Sequence, residues 1–497
     1  MIDGAVSRGW PGISASVAVR RYAGLGLAAI LVGCATAPSV RTPVTTLPSS
    51  YDASTSSLPA MSLDRWWNLY ADAQLAGLVE HALANGLTAR EAFSRLDEAQ
   101  AVRSAALARY GVQGNVEAKG QIQRTHTLSN SLDIPGLGDS SSLTELFAPT
   151  TTKTGNASLP VSWELDLFGR RRAARQTADA DLAAARFTYE GARATLAADV
   201  ARSLFQARGL AAQLEDARAT VTIQRRLVDV TGKRAARGLI ATSEVDQVAG
   251  NLAQAEAQAA DLAGALDATR RALLVLIGSG TSPLKSLPIT ATLSAVPDIP
   301  SSMPGELLTR RPDVREAQAR LQAATGNVRL AELAFYPTIT LQAALAFATQ
   351  TGGIATTTIS GSGGGSLAVP IFDRSRLKAE LRGASARAEQ AVLTYERTLQ
   401  TAYSESDQAL VRLEADRRRI TMLDAGLARA RRAYDAAVKR FDLGFTDLQA
   451  VLDAERTFRG ARTALTTAHI DGLERSVQAF QALGGGWGTS TPQPSGY

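Results

Sequence analysis

Three histidines, one cysteine and two glycine-rich runs are the residues of this 497-residue chain that metal, redox or phosphate chemistry would use. His81, His126 and His469 stand far apart with none of the short spacings of a zinc site. Cys34 is the single cysteine, so arithmetic excludes a disulfide within the chain. Gly361 to Gly365 lies in an alternating, strand-like stretch, and Gly484-Gly485-Gly486 ends a helix; neither precedes a helix with Lys-Ser/Thr as a phosphate loop does. The pattern points away from an enzyme. Lys plus Arg (53) against Asp plus Glu (47) leaves a mild +6, part of it from Arg8, Arg20 and Arg21, so no nucleic-acid partner is expected.

The chemistry that remains is at Cys34. A basic region ending at Arg20-Arg21, an apolar core from Ala23 to Val32 and the run Leu31-Val32-Gly33-Cys34 resemble a bacterial lipoprotein signal. In such signals the cysteine is lipidated and becomes the mature N-terminus. Residues 1–33 are read as signal peptide and 34–62 as a lipidated tether. The lipid, palmitate included, is the only group expected on the chain, with no cofactor and no metal. Ala35 after the cysteine, in place of Asp, points to the outer membrane. Pro38, Pro43, Pro48 and Pro59 make Ala35 to Ala60 extended chain. Outside the leader no apolar run reaches 18 residues, which excludes ordinary transmembrane helices but not strands.

Long elements must carry the rest. Arg170 to Arg237 has no Pro, and Leu196, Val200, Ala207, Leu210, Leu214, Ala217, Val221 and Val228 keep the alternating three/four spacing of a coiled-coil seam. About 65 residues at 1.5 Å each give a helix of roughly 100 Å, too long for a compact domain. Val161 to Leu167 alternates as a strand, and Phe168-Gly169-Arg170 marks the change of period.

The chain then repeats itself. Arg90-Glu91-Ala92 returns as Arg315-Glu316-Ala317, Leu167-Phe168-Gly169-Arg170 as Ile371-Phe372-Asp373-Arg374, and Arg237-Gly238-Leu239 as Leu443-Gly444-Phe445. Each repeat reads as a leading helix, two strands, a long helix and a return helix. The first leading helix is expected to run unbroken from Asp72 to Tyr110, and the second long helix from Leu377 to Phe441. Return helices are expected from Ser243 and from Thr446, the latter in a capping box with Gln449, to Ile277-Gly278 and Leu483-Gly484. The repeats occupy residues 63–278 and 312–487, joined by the Pro-rich 279–311 and followed by a tail, 488–497.

Val112 to Gln123 puts Val112, Gly114, Val116, Ala118, Gly120 and Ile122 on one face. Ala157 to Leu165 and Ile339 to Phe347 alternate likewise, and Ile359 to Ile371 does so more weakly through Gly. Strands of about 10 to 13 residues with one apolar and one polar face suit a tilted membrane barrel, although an ordinary half-buried sheet shows the same alternation. Four strands cannot close a barrel, and open edges in hydrocarbon leave backbone groups unpaired, so several chains must share one. A return helix of about 35 residues and a leading helix of about 28, stacked end to end, would cover one long helix of about 65. A tube of such pairs joined to a strand barrel is a conduit.

Asp64-Arg65-Trp66-Trp67, Trp163-Glu164-Leu165-Asp166-Leu167-Phe168-Gly169, Leu307 to Arg315 with its Arg310-Arg311-Pro312-Asp313, and Ala482-Leu483-Gly484-Gly485-Gly486-Trp487 together resemble the outer-membrane efflux lipoproteins of the TolC/OprM/NodT type. The resemblance spans Cys34 to Trp487. It implies a mainly α protein with transmembrane β structure, a homotrimer whose twelve-stranded outer-membrane barrel joins a long periplasmic α-helical barrel. It also implies a periplasmic adaptor (a membrane fusion protein) and an inner-membrane pump, usually of the resistance-nodulation-division class. Small-molecule efflux, a type I exit duct for polypeptides and a non-conducting helical scaffold lipoprotein remain the alternatives; Arg-Arg-Pro-Asp and the lipid anchor favour efflux.

The same resemblance implies the working residues. The two helical turns, Arg237, Gly238, Leu239 and Leu443, Gly444, Phe445, match the adaptor-contacting tips in place, though Arg237 and Leu443 depart from the family's Val-Gly-Leu-like element. Lys233, Arg234, Arg237, Lys439 and Arg440 crowd these turns, where cations serve a helix C-terminus as well as an adaptor. The periplasmic gate of the family uses an Asp ring and a Tyr latch. Asp453 matches one acidic position, Ala450 stands at the other, and Phe441 occupies the Tyr position, so the expected gate is an Asp453 ring with apolar packing.

Overall fold

The structure, a computed structural model, describes residues 41–44, 46–52, 63–126, 150–299, 303–352 and 355–486. Cys34, the signal peptide, most of the tether and the chain from Trp487 on lie outside the described residues. The chain divides into two compact units, one containing Ala105–Thr177 and Ala324–Glu389, the other Thr42–Ser104, Ala178–Ala323 and the chain from Gln390.

The first unit carries the sheet. Strands β1 (Gln113–Gly114), β2 (Glu117–Thr125), β3 (Thr150–Leu165), β4 (Thr338–Thr351) and β5 (Thr356–Ala368) are all antiparallel. The expected single strand from Val112 to Gln123 is split, yet β1 and β2 pair with β3 in one register, Gln113 opposite Ser162 and Glu117 opposite Ser158. That register sets Asn115 opposite Pro160. Proline has no N–H to give the ladder, and the Asn115 amide donates to Glu117 Oε1 at 3.2 Å instead. The sheet is therefore four strand positions wide. The β3–β4 pairing, Trp163 opposite Leu341 and Ala157 opposite Phe347, joins the two repeats. Its edges, β1/β2 and β5, have no further partner among the described residues.

The helices are α1 (Ala73–Asn85), α2 (Leu87–Ala108), α3 (Arg170–Ala235), α4 (Thr242–Leu276), α5 (Leu307–Arg310), α6 (Pro312–Leu333), α7 (Arg374–Asp442) and α8 (Leu448–Ala482). The long helices α3 and α7 have 66 and 69 residues, and both return helices have 35. The leading helices α2 and α6 have 22 residues each, fewer than expected, and the stretch from Asp72 to Tyr110 is broken into α1 and α2. Gly86 leaves the helix with ψ 135°, and a Cβ there would stand 2.4 Å from Ala82 O and 3.1 Å from Leu276 O. The break admits the end of α4: a Cβ on Gly278 would stand 2.7 Å from Asn85 O. In the second repeat a Cβ on Gly484 would stand 2.9 Å from Arg310 C, so the end of α8 likewise abuts the approach to α6. Return and leading helices thus meet end to end in both repeats. Among the described residues no helix is long and apolar enough to cross a membrane.

The core of the second unit gathers the sequence motifs. Trp66 is fully buried and stacks on Phe480 of α8 with ring centroids 5.5 Å apart, while Tyr70 packs on Phe205 of α3 and its hydroxyl shares a 2.5 Å hydrogen bond with Ser476 Oγ. Gly486 N donates to Leu63 O at 2.9 Å, so the Asp-Arg-Trp-Trp opening and the glycine-rich close lie side by side. The tether is not free where it is described. Val44 N donates to Glu396 Oε1, Asp52 N to Asp407 Oδ1, and the buried Tyr51 stacks on Tyr403, fastening the segment along α7.

Candidate functional site

Both turns between long and return helices are built by the same device. Gly238 N donates to Ala235 O and Leu239 N to Arg234 O; Gly444 N donates to Phe441 O and Phe445 N to Arg440 O. These paired bonds close a helix through a left-handed residue, and φ is +70° at Gly238 and +78° at Gly444. Leu239 (66%), Leu443 (70%) and Phe445 (72%) are left exposed, an apolar tip that the chain's own packing does not use. Arg237, Lys439 and Arg440 are exposed and make no ion pair among the described residues, whereas Lys233 pairs with Asp229 at 2.6 Å.

The two turns share a small core. Phe441, Val248, Leu448, Val451 and Leu452 are buried together, with Leu227, Val228, Val230, Tyr434, Ala437 and Val438 packed around them. Residues from all four hairpin helices contribute. Phe441 sits inside this cluster with the Arg234 guanidinium 4.2 Å above its ring, so it ties one hairpin to the other.

The expected capping box is corrected. Helix α8 begins at Leu448, and Asp447 caps it by accepting from Ala450 N at 3.0 Å. A carboxylate complements the positive helix end better than the Thr446 hydroxyl. Gln449 consequently points along the helix and donates to Asp453 Oδ1 at 3.1 Å. On this stretch Leu448, Val451, Leu452 and Glu455 face inward, whereas Gln449, Asp453, Arg456 and Thr457 form the exposed face. Asp453 lies 3.6 Å from Arg456, and Ala450 is half-buried beside this face. Asp453 and Phe441 therefore do different jobs, one facing outward and one inward. Glu455 was not singled out by sequence reading. Burial pushes its carboxyl above the usual range, and Arg459, 4.0 Å away, pulls only weakly against that.

Two further charged clusters fix the helical frame. Asp72 caps α1 through Leu75 N and pairs with Arg208 of α3, both side chains under a tenth exposed. Burial pushes the Asp72 carboxyl up, but bonds from Arg208 and Leu75 N outweigh it and leave the carboxyl below its ordinary value. Arg311, from the Arg-Arg-Pro-Asp run, donates to Asp313 (2.7 Å), Glu405 (2.7 Å) and Ala482 O (3.1 Å). Its charge lies against the C-terminal carbonyls of α8, where the helix dipole favours a cation. Among the described residues no group of three His, Cys, Asp or Glu could hold a metal.

The sheet presents two unlike faces. Leu159, Trp163, Leu341, Leu345, Phe347, Ile359 and Leu367 share one face and are all exposed, Ile359 at 76%. The other face is rich in Thr, Ser, Gln and Asn, and its only charges among the described residues are Glu117, Lys119 and Glu164. Lys119 lies 3.4 Å from Glu117, and Glu164 lies 3.4 Å from Arg170. Arg170 also donates to Leu333 O and Tyr336 O at 3.0 Å, bracing the strand-to-helix joint against the end of α6.

The model of the family described as Outer membrane efflux protein matches residues 78–279 and 303–485. The pyoverdine export outer membrane protein OpmQ of Pseudomonas putida is 30% identical over 479 residues, 94% of this chain and 98% of that protein. The probable outer membrane lipoprotein SilC of Salmonella typhimurium is 27% identical, covering 92% and 97%. The solved outer-membrane channel OprN superposes with a TM-score of 0.74 at 27% identity, over 91% of this chain and all of that one. With both matched blocks, the paired glycine turns and a sheet that exposes its apolar face, the chain belongs to the outer membrane efflux protein family.

Proposed function

We propose that the chain is the outer-membrane channel of an efflux system, conducting substrates passed from an inner-membrane pump and a periplasmic adaptor to the exterior. The observation that carries this is the open sheet. An exposed apolar face with two unpaired edges has no stable place in water, and the comparable faces of membrane barrels are covered by lipid. Four strand positions per chain make a twelve-stranded barrel when three copies join edge to edge, which leaves no edge unpaired. The polar face then lines a nearly neutral, hydroxyl-rich passage.

The exposed tips Arg237 to Leu239 and Leu443 to Phe445 are the adaptor contacts, and the three copies of Asp453 form the acidic ring of the periplasmic gate. Phe441 replaces a hydroxyl latch with apolar packing. The channel does no bond chemistry, and Cys34 carries the lipid anchor; palmitate incorporation surviving a Cys34→Ser change would refute that anchor. Deleting the gene should raise cellular retention of a fluorescent efflux substrate, with restoration by the intact gene but not by one lacking β4 and β5. Unchanged retention across a panel of dyes, solvents and metal cations would count against an efflux role.

A further inference from the structure

The outward face of the sheet changes character along the strands. From the helix-joined end it reads Leu165–Ile339–Leu367, Trp163–Leu341, Leu159–Leu345 and Ala157–Phe347–Ile359 across neighbouring strands. Beyond Gly155 it turns polar, with Thr349 opposite Thr357 and Lys153 opposite Thr351. Arg124 and Lys153 stand here on adjacent strands and the same face: Arg124 is opposite Thr151, and Lys153 opposite Ile122. Both are exposed, and neither pairs with a carboxylate among the described residues.

The spacing gives this row a place. From Gly155 to Leu165 a strand climbs about 33 Å at roughly 3.3 Å per residue. At the tilt of about 40° usual in membrane barrels, the rise is about 25 Å, the height of the apolar band. Trp163, Phe168, Tyr336 and Phe372 all fall at or just beyond the helix-joined ends of their strands, the level at which membrane barrels carry an aromatic girdle, and Phe168 and Tyr336 have rings 5.2 Å apart. Lys153 and Arg124 fall one apolar-band height away, at the opposite headgroup level. Diagonal neighbours on paired strands lie about 7–8 Å apart, close enough for two long cationic side chains to converge on one phosphate. The flanking Thr151 and Thr351 hydroxyls add donors on the same face.

We infer that Arg124 and Lys153 form a binding site for the phosphorylated headgroup of an acylated glycolipid in the outer leaflet. The inference rests on the channel reading, which sets the helix-joined end in the periplasm and this row at the cell surface. Water-facing cations need no such register; these two occupy the lipid-facing side. The site holds the barrel to its lipid annulus and recurs once per copy.

The test places the purified, lipidated protein in phosphatidylcholine nanodiscs and titrates in a diphosphorylated, acylated glucosamine disaccharide, counting bound lipid by native mass spectrometry. The double variant Arg124→Gln/Lys153→Gln should bind about thirty-fold more weakly, each cation near a headgroup surface contributing roughly equally. Lys119→Gln, on the polar face, should bind as the unmodified protein does. The dephosphorylated lipid should bind the unmodified protein as weakly as the diphosphorylated lipid binds the double variant, a comparison that needs no variant to fold. Equal binding of the two lipids, or full binding by the double variant, would overturn the site. The same preparation is assayed for conductance: a conducting channel without phosphate preference refutes this inference alone, whereas a protein that never conducts removes the reading beneath it.

Discussion

Replacing Phe441 by alanine tests whether this ring holds the two hairpins of the tip together. Phe441 is 6% exposed in a cluster with only four other buried residues, and it carries the Arg234 guanidinium on its ring. Removing a buried Phe typically costs about 3–5 kcal/mol, and the lost cation contact about 0.5–2 kcal/mol more. The tip lies beside exposed turns and can relax. Recovering half of the smaller sum still leaves about 2 kcal/mol, or roughly a thirty-fold rise in local opening. The peptide bonds after Lys233, Lys439 and Arg440 follow helical residues and must unwind before trypsin can use them. Cleavage there tracks the open population when opening is fast. The variant should therefore be cut about ten- to hundred-fold faster at these residues, and its channels should be open for more of the time. Phe441→Leu, which keeps most of the volume, should change either quantity by no more than a few-fold. Cleavage and open probability unchanged in Phe441→Ala would refute the argument that this ring locks the two hairpins together.

The same geometry sets the outcome of four further substitutions. Asp453→Ala should reduce the cation preference of the channel, since it removes an exposed carboxylate that Arg456, 3.6 Å away at the surface, offsets only in part; selectivity unchanged in bi-ionic potentials would remove Asp453 from the proposed gate. Glu455→Gln should tighten the tip at neutral pH. Because burial raises the Glu455 carboxyl, ionising it opposes folding, so tip stability should grow as pH falls through its raised value, and hydrogen exchange corrected for intrinsic rate should lose that dependence in the variant. Arg208→Ala leaves the Asp72 carboxylate buried without its cation and should cost about 3–5 kcal/mol in urea unfolding. Asp72 has a lowered value, so its contribution is present above the ordinary aspartate range and is lost as pH falls through the lowered one. Asp72→Asn should lack that acid loss.

What periodicity could reach and what it could not divide along a physical line. Helix α3 was legible because nothing in Arg170 to Ala235 breaks a helix, and its end because Gly238 alone there tolerates φ of +70°. The strand faces were legible because their alternation is local. Gly86 was not, because a single Gly inside a helical pattern costs only about 1 kcal/mol and is often tolerated. What breaks the helix there is the arriving end of α4, nearly 200 residues later in the chain. The split between β1 and β2 has the same origin, since its cause, Pro160, stands on the neighbouring strand. Arg311 could be recognised as part of a motif, but its bonds to Glu405 and Ala482 O exist only once α7 and α8 are packed. At the tip, Asp447 beside Thr446 offered two possible caps, and charge decided between them. Glu455 gave no signal at all, as one acidic residue in a charged helix.

Single-channel recording of the purified, lipidated protein in a planar bilayer, with its mass determined in detergent, separates a conduit from a scaffold. A conduit should be a trimer whose currents are ohmic and resolvable, and whose open time increases when Phe441 is replaced. A stable monomer, or a trimer that inserts and never conducts with or without that replacement, would contradict the conduit.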